Sequence, residues 1–145
     1  MITYQNDPSI PRVPRFPRRT TSKWIAEVAH LHGKKIGEVA YIFCSDEKIL
    51  EVNRQYLQHD YYTDIITFDY TEGDVLNGDI FISTETVRSN AESYGTTFEE
   101  ELRRIVIHGI LHLCGQEDKQ PDDRREMTRQ EDEALGLFPT AGRER

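Results

Sequence analysis

Apolar positions alternate at strand spacing and recur at helical spacing by turns through the first eighty residues, and keep helical spacing afterwards. Residues 2–5 fit a short edge strand. Trp24, Ile25, Val28, Ala29 and Leu31 supply the apolar side of a helix capped by Thr21 or Ser22, running to about His32 and ended by Gly33. The β-branched and aromatic run 38–44 predicts a strand. Ser45 or Asp46 caps a second helix that carries Ile49, Leu50, Val52 and Asn53, then Tyr56 and Leu57. Segments 63–70 and 79–83 read as strands joined by a turn rich in Gly, Asp and Asn, the signature of a hairpin. Helices are predicted over 84–94, 98–114 and 122–135, and the chain from Phe138 onward, including a disordered tail at 139–145, reads as loose. The pattern predicts one α+β domain over residues 1–145, an α/β sandwich with a small mixed sheet of about four strands packed with about five helices.

Segment 98–114 carries the candidate chemistry. Thr97 and Glu100 have the spacing of a capping box, and Glu99, Glu100 and Glu101 place negative charge at the positive end of the helix dipole. Leu102, Ile105, Val106, Ile110, Leu113 and Cys114 form an apolar surface too broad for an exposed helix. On that helix His108 and His112 stand roughly 40° apart around the axis and about 6 Å apart along it, so both imidazoles reach one ion. Gly115 sits where a helix end calls for positive φ, and the next short segment can return Asp118 to the same ion as a third ligand. Two imidazoles and a carboxylate, with positions left for water, describe a catalytic metal site. The plainer alternative is two histidines satisfied by ordinary hydrogen bonds; the glycine and carboxylate behind the pair favour the ion. Zinc suits the set first, and iron, nickel, cobalt or manganese also suit it.

The 145 residues are enough to bury about two-thirds of the unfolded chain's surface. No apolar run approaches the roughly 20 residues of a membrane span, and the N-terminus lacks the apolar region of a secretory signal. Cys44 and Cys114 lie in apolar surroundings and read as buried free thiols, so a soluble cytoplasmic protein is expected. The net charge of −8 argues against a general nucleic-acid coat protein. It is uneven, however: residues 1–35 hold seven basic against two acidic side chains, the remainder eleven against twenty-four. The proline-punctuated run through Arg12, Arg15, Arg18 and Arg19 should be an extended loop, either a phosphate binder or a solvated connector. His30 and His32 are explained by the helix end they occupy, and His59 lies in a loop. Asp122 and Asp123 suit a helix start, while Glu126, Glu131, Asp132 and Glu133 read as a solvated face.

The run His108-Gly109-Ile110-Leu111-His112-Leu113-Cys114-Gly115 resembles the signature of the YbeY family, bacterial endoribonucleases that mature ribosomal RNA. Val52, Asn53 and Tyr56, then Asp60, the stretch Thr63–Phe68, and Gly78 to Ser83 extend the likeness over roughly residues 20–135. The resemblance implies a single-strand-specific, metal-dependent endoribonuclease acting in 16S ribosomal RNA maturation and ribosome quality control. Its partners would be ribosomal RNA and the small ribosomal subunit, with neither membrane nor DNA. It also implies that His108 and His112 are metal ligands. The family's third ligand is usually a histidine, where this chain has Asp118; a carboxylate there lowers the Lewis acidity of the ion. Leu57 stands where family members often carry an arginine, leaving RNA phosphate to Arg54 or to Arg15, Arg18 and Arg19.

Two other classes compete. A zinc peptidase shares the histidine spacing but needs a glutamate directly after the first histidine, and Gly109 cannot take a proton. A non-catalytic ribosome-assembly factor would use the ion only to lock the loop after Gly115. For the nuclease, attack by water and attack by the RNA's own 2′-hydroxyl both remain open.

Overall fold

The computed structural model describes residues 1–57 and 63–139. His59, Asp60 and residues 140–145 of the expected tail lie outside the described residues. The elements run β1 (Ile2–Asn6), α1 (Arg18–Leu31), β2 (Lys35–Cys44), α2 (Asp46–Leu57), β3 (Ile65–Asp69), β4 (Val75–Ser83), α3 (Thr84–Tyr94), α4 (Phe98–Leu113) and α5 (Pro121–Gly136). The sheet order is β1-β2-β4-β3, with β1, β2 and β4 parallel and β3 antiparallel to β4. Among the described residues four strands in a mixed sheet and five helices agree with the α+β expectation, and the β3–β4 hairpin is present.

The period-2 alternation of the strands divides the core in two. Val39, Tyr41 and Phe43 of β2 and Leu76, Ile80 and Ile82 of β4 are buried in one cluster with Trp24, Ile25 and Val28 of α1 and the apolar side of α4. Cys44, Ile66, Phe68 and Phe81 turn the other way and pack on Ile49 and Val52 of α2. Helix α4 is therefore covered by the sheet, α1, α3 and α5, which explains its broad apolar surface. Gly109 permits the close approach: a Cβ there would meet Ile80 Cδ1 at 3.0 Å and Ile65 Cδ1 at 3.2 Å. The buried Tyr41 hydroxyl donates to the Val106 carbonyl at 2.8 Å, so the sheet also fixes α4 along its length.

Four sequence expectations need correction. Helix α1 starts at Arg18 after Pro17, not at Thr21 or Ser22: Pro17 is already held near a helix-entry φ (−76°), Thr21 is buried inside the helix, and Ser22 pairs with the Tyr4 hydroxyl. Strands β2 and β4 begin three and four residues earlier than their apolar runs. Lys35 and Ile36 pair with Val75 and Leu76, and Asn77 Oδ1 accepts from the Glu38 N–H at 2.7 Å across the register shift that follows. Phe138 is not part of a loose end. It is 3% exposed, with its ring edge-on to Trp24 at 5.0 Å. Cys44 is buried as expected but Cys114 only partly; burial pushes their thiols up to about 12 and about 11, so both are unreactive near neutral pH. Among the described residues no helix is long and apolar enough to cross a membrane.

Candidate active site

The site forms where α4 ends. The predicted capping box starts the helix: the Thr97 side chain accepts from the Glu100 N–H, and the Glu100 carboxylate accepts from the Thr97 N–H. At the other end Gln116 N–H donates to Leu111 O at 3.1 Å and Gly115 N–H to His112 O at 3.0 Å, with Gly115 at φ +104°. That pair of bonds is a Schellman closure, and it needs a residue without a Cβ at Gly115. The chain reverses and returns Asp118 to α4, where its Oδ2 lies 3.2 Å from His108 Nε2.

The rings of His108 and His112 stand 6.5 Å apart and within 7° of parallel, one turn of α4 from each other. His112 Nδ1 is buried and has no hydrogen-bond partner among the described residues. The other nitrogen of His108, Nδ1, lies 2.6 Å from Glu131 Oε2 of α5. Glu131 is itself buried and accepts from Arg104 at 2.8 Å, and Arg104 also donates to Asp132 at 2.6 Å. Burial alone would lower the His108 pKa, but the bond to Glu131 and the negative charges of Glu131, Asp118 and Asp64 outweigh it and hold His108 above its ordinary value. Burial raises Asp64, against the opposing pull of His108.

Of the residues picked from sequence, His108 and Asp118 are therefore in contact, with His112 one turn along. Among the described residues no group of three or more His, Cys, Asp or Glu side chains is placed to hold a metal ion. The arginines lie elsewhere. Arg15 lines a cleft with Arg12, Glu85, Arg88 and Phe98, at the start of α4 and about 15 Å along the helix from His108. Arg18 and Arg19 occupy the first turn of α1. Arg54 lies beside Glu47, Leu50 and Glu51 on α2, which packs against the sheet face opposite α4.

Two site residues escaped sequence reasoning. Asp64 sits at the entrance to β3, its backbone carbonyl accepting from the Ser83 N–H at 3.0 Å, inside the stretch Thr63–Phe68 that carries the resemblance but with no feature that assigns it to the site. Glu131 is corrected from solvated face to buried partner of His108, and a signal did exist. Met127, Glu131 and Ala134 follow helical spacing, so the glutamate occupies an apolar stripe.

A profile match and curated relatives place the chain in the class of hydrolases that act on RNA. The sequence profile described as "Endoribonuclease YbeY" matches residues 9–138, so the chain belongs to the YbeY family of RNA-cleaving hydrolases. It is 58% identical over 136 residues to the endoribonuclease YbeY of Bacteroides thetaiotaomicron, covering 94% of this chain and 98% of the relative. It is 59% identical over 138 residues to that of Phocaeicola vulgatus, covering 95% and 99%. A protein of Thermotoga maritima solved in solution superposes with a TM-score of 0.65 at 28% identity, over 93% of this chain and 87% of that one. Neither the peptidase nor the assembly-factor alternative finds support in these relatives. The space around Gly109 adds to the case against a peptidase, since a side chain there would be driven into Ile80 and Ile65 of the sheet.

Proposed function

We propose that this endoribonuclease cleaves single-stranded ribosomal RNA with the help of one divalent ion, zinc by first preference, held by His108, His112 and Asp118. Its place would be 16S ribosomal RNA maturation and ribosome quality control on the small ribosomal subunit, in the cytoplasm. The observation that carries the metal reading is the Schellman closure, which brings the Asp118 carboxylate onto His108 Nε2, one helical turn from His112, whose buried Nδ1 has no hydrogen-bond partner among the described residues. A buried unpaired ring nitrogen costs stability unless something else binds it. The donor set of two imidazoles and one carboxylate fits zinc with positions to spare.

When bound, such an ion supplies Lewis acidity and acidifies water. His108 and His112 would hold it from one helix face, and Asp118 would tie it to the loop after Gly115. The surroundings argue the same way: Asp64, Asp118 and Glu131 make the site acidic, which attracts a cation and repels phosphate unless a cation is there. Arg15 in the N-terminal loop, Arg18 and Arg19 in the first turn of α1 and not in that loop, and Arg54 on α2 would meet the RNA backbone away from the cleavage point.

Cleavage of a single-stranded ribosomal RNA segment is expected to stop on chelation and return with added zinc, while a duplex of the same sequence stays intact. Because an ion binds only neutral imidazole, protons compete with it. His108 is held above 6.5, so zinc affinity should begin to fall above pH 6.5 on acidification, earlier than at an unperturbed histidine. Cleavage that persists in chelator at full rate would overturn the metal-dependent reading.

A further inference from the structure

Glu131 is 7% exposed, in the row of α5 that otherwise presents Met127 and Ala134 to the core. A carboxylate buried at an apolar position costs stability unless its charge and lone pairs are matched. Both oxygens are matched here. Oε1 accepts from Arg104 Nη1 at 2.8 Å, and Oε2 lies 2.6 Å from His108 Nδ1. Arg104 is tied in turn to Asp132, one residue along α5. The far nitrogen of the same imidazole, Nε2, is the one facing Asp118.

We propose that Glu131 is a positioning residue for His108, resting on the reading of His108 as a metal ligand. Both flanking carboxylates can only accept, but Glu131 at 2.6 Å, braced by Arg104, outcompetes Asp118 at 3.2 Å for the single proton of the neutral imidazole, which therefore sits on Nδ1. The lone pair then sits on Nε2, where a cation shared with Asp118 would take it. Arg104 fixes the carboxylate, and helix α5 thereby becomes part of the site although it supplies no ligand. A purely structural role, tying α5 to α4, would need the contact but not a particular tautomer.

The isosteric variant E131Q separates the two. Arg104 has only donors to offer, so it claims the amide oxygen and leaves the amide NH2 facing His108 Nδ1. That nitrogen must then accept, and the proton moves to Nε2, where it blocks ligation. The measurements are the long-range 1H–15N spectrum of the His108 ring in metal-free full-length protein, at a pH where the ring is neutral, and zinc affinity by chelator competition. Wild type should show the Nδ1–H tautomer. E131Q should show Nε2–H and bind zinc roughly 10–100-fold more weakly at nearly unchanged melting temperature. An Nε2–H ring in wild type overturns the proposal without any variant being needed, and so does E131Q with wild-type tautomer and affinity. If wild type binds no zinc yet the tautomer inverts in E131Q, the positioning role stands and the metal reading is what fails.

Discussion

Replacing His112 by alanine is expected to leave the protein folded and to reduce RNA cleavage by roughly 10³-fold. An ion at such a site contributes several kcal/mol of charge stabilisation, and about 4 kcal/mol corresponds to that factor in rate. The fold should survive because the His112 Nδ1 has no partner to lose among the described residues and alanine favours the helical backbone. Circular dichroism melting and cleavage of single-stranded RNA, run on the same preparation, check both halves. Unfolding of the variant would make the ion structural, and undiminished cleavage would remove His112 from the site.

Trp24→Ala should be the most damaging single change to stability, costing about 3–5 kcal/mol against a total of roughly 5–15. Trp24 joins the first helix to the last: its ring is buried in the main core and edge-on to Phe138, and its indole N–H donates to the Ala134 carbonyl at 2.8 Å. Arg103 covers the Phe138 ring from α4, with its guanidinium 4.2 Å from the centroid. Losing the indole would leave a cavity and an unpaired carbonyl at the point where α5 is held down, three residues beyond Glu131. Trp24→Phe keeps most of the ring but not the donor, and should cost about 1–3 kcal/mol. Urea midpoints for the two variants check this order; equal values near wild type would mean that α5 is anchored elsewhere.

The parts of the site that sequence revealed are those set by local geometry. His108 and His112 are one helical turn apart, the capping box fixes where that turn begins, and Gly115 marks where the chain must reverse towards Asp118. Each signal spans fewer than about ten residues. Glu131 and Asp64 reach His108 only through the docking of α5 and the placement of β3. Nothing in their neighbourhoods distinguishes them, apart from the glutamate's position in an apolar stripe. The role of Phe138 is hidden for the same reason, because a lone aromatic after a helix end shows its purpose only once Trp24 is opposite. The early starts of β2 and β4 follow from strand pairing and an Asn77 side chain bridging a bulge, which apolar periodicity cannot register.

The most direct test of the whole account is the metal content of the purified protein, wild type beside Asp118→Ala, by elemental analysis. The account predicts about one equivalent of a divalent transition metal in wild type, zinc first, and a strongly reduced content in the variant. No bound metal in wild type, or a content untouched by the substitution, would contradict it.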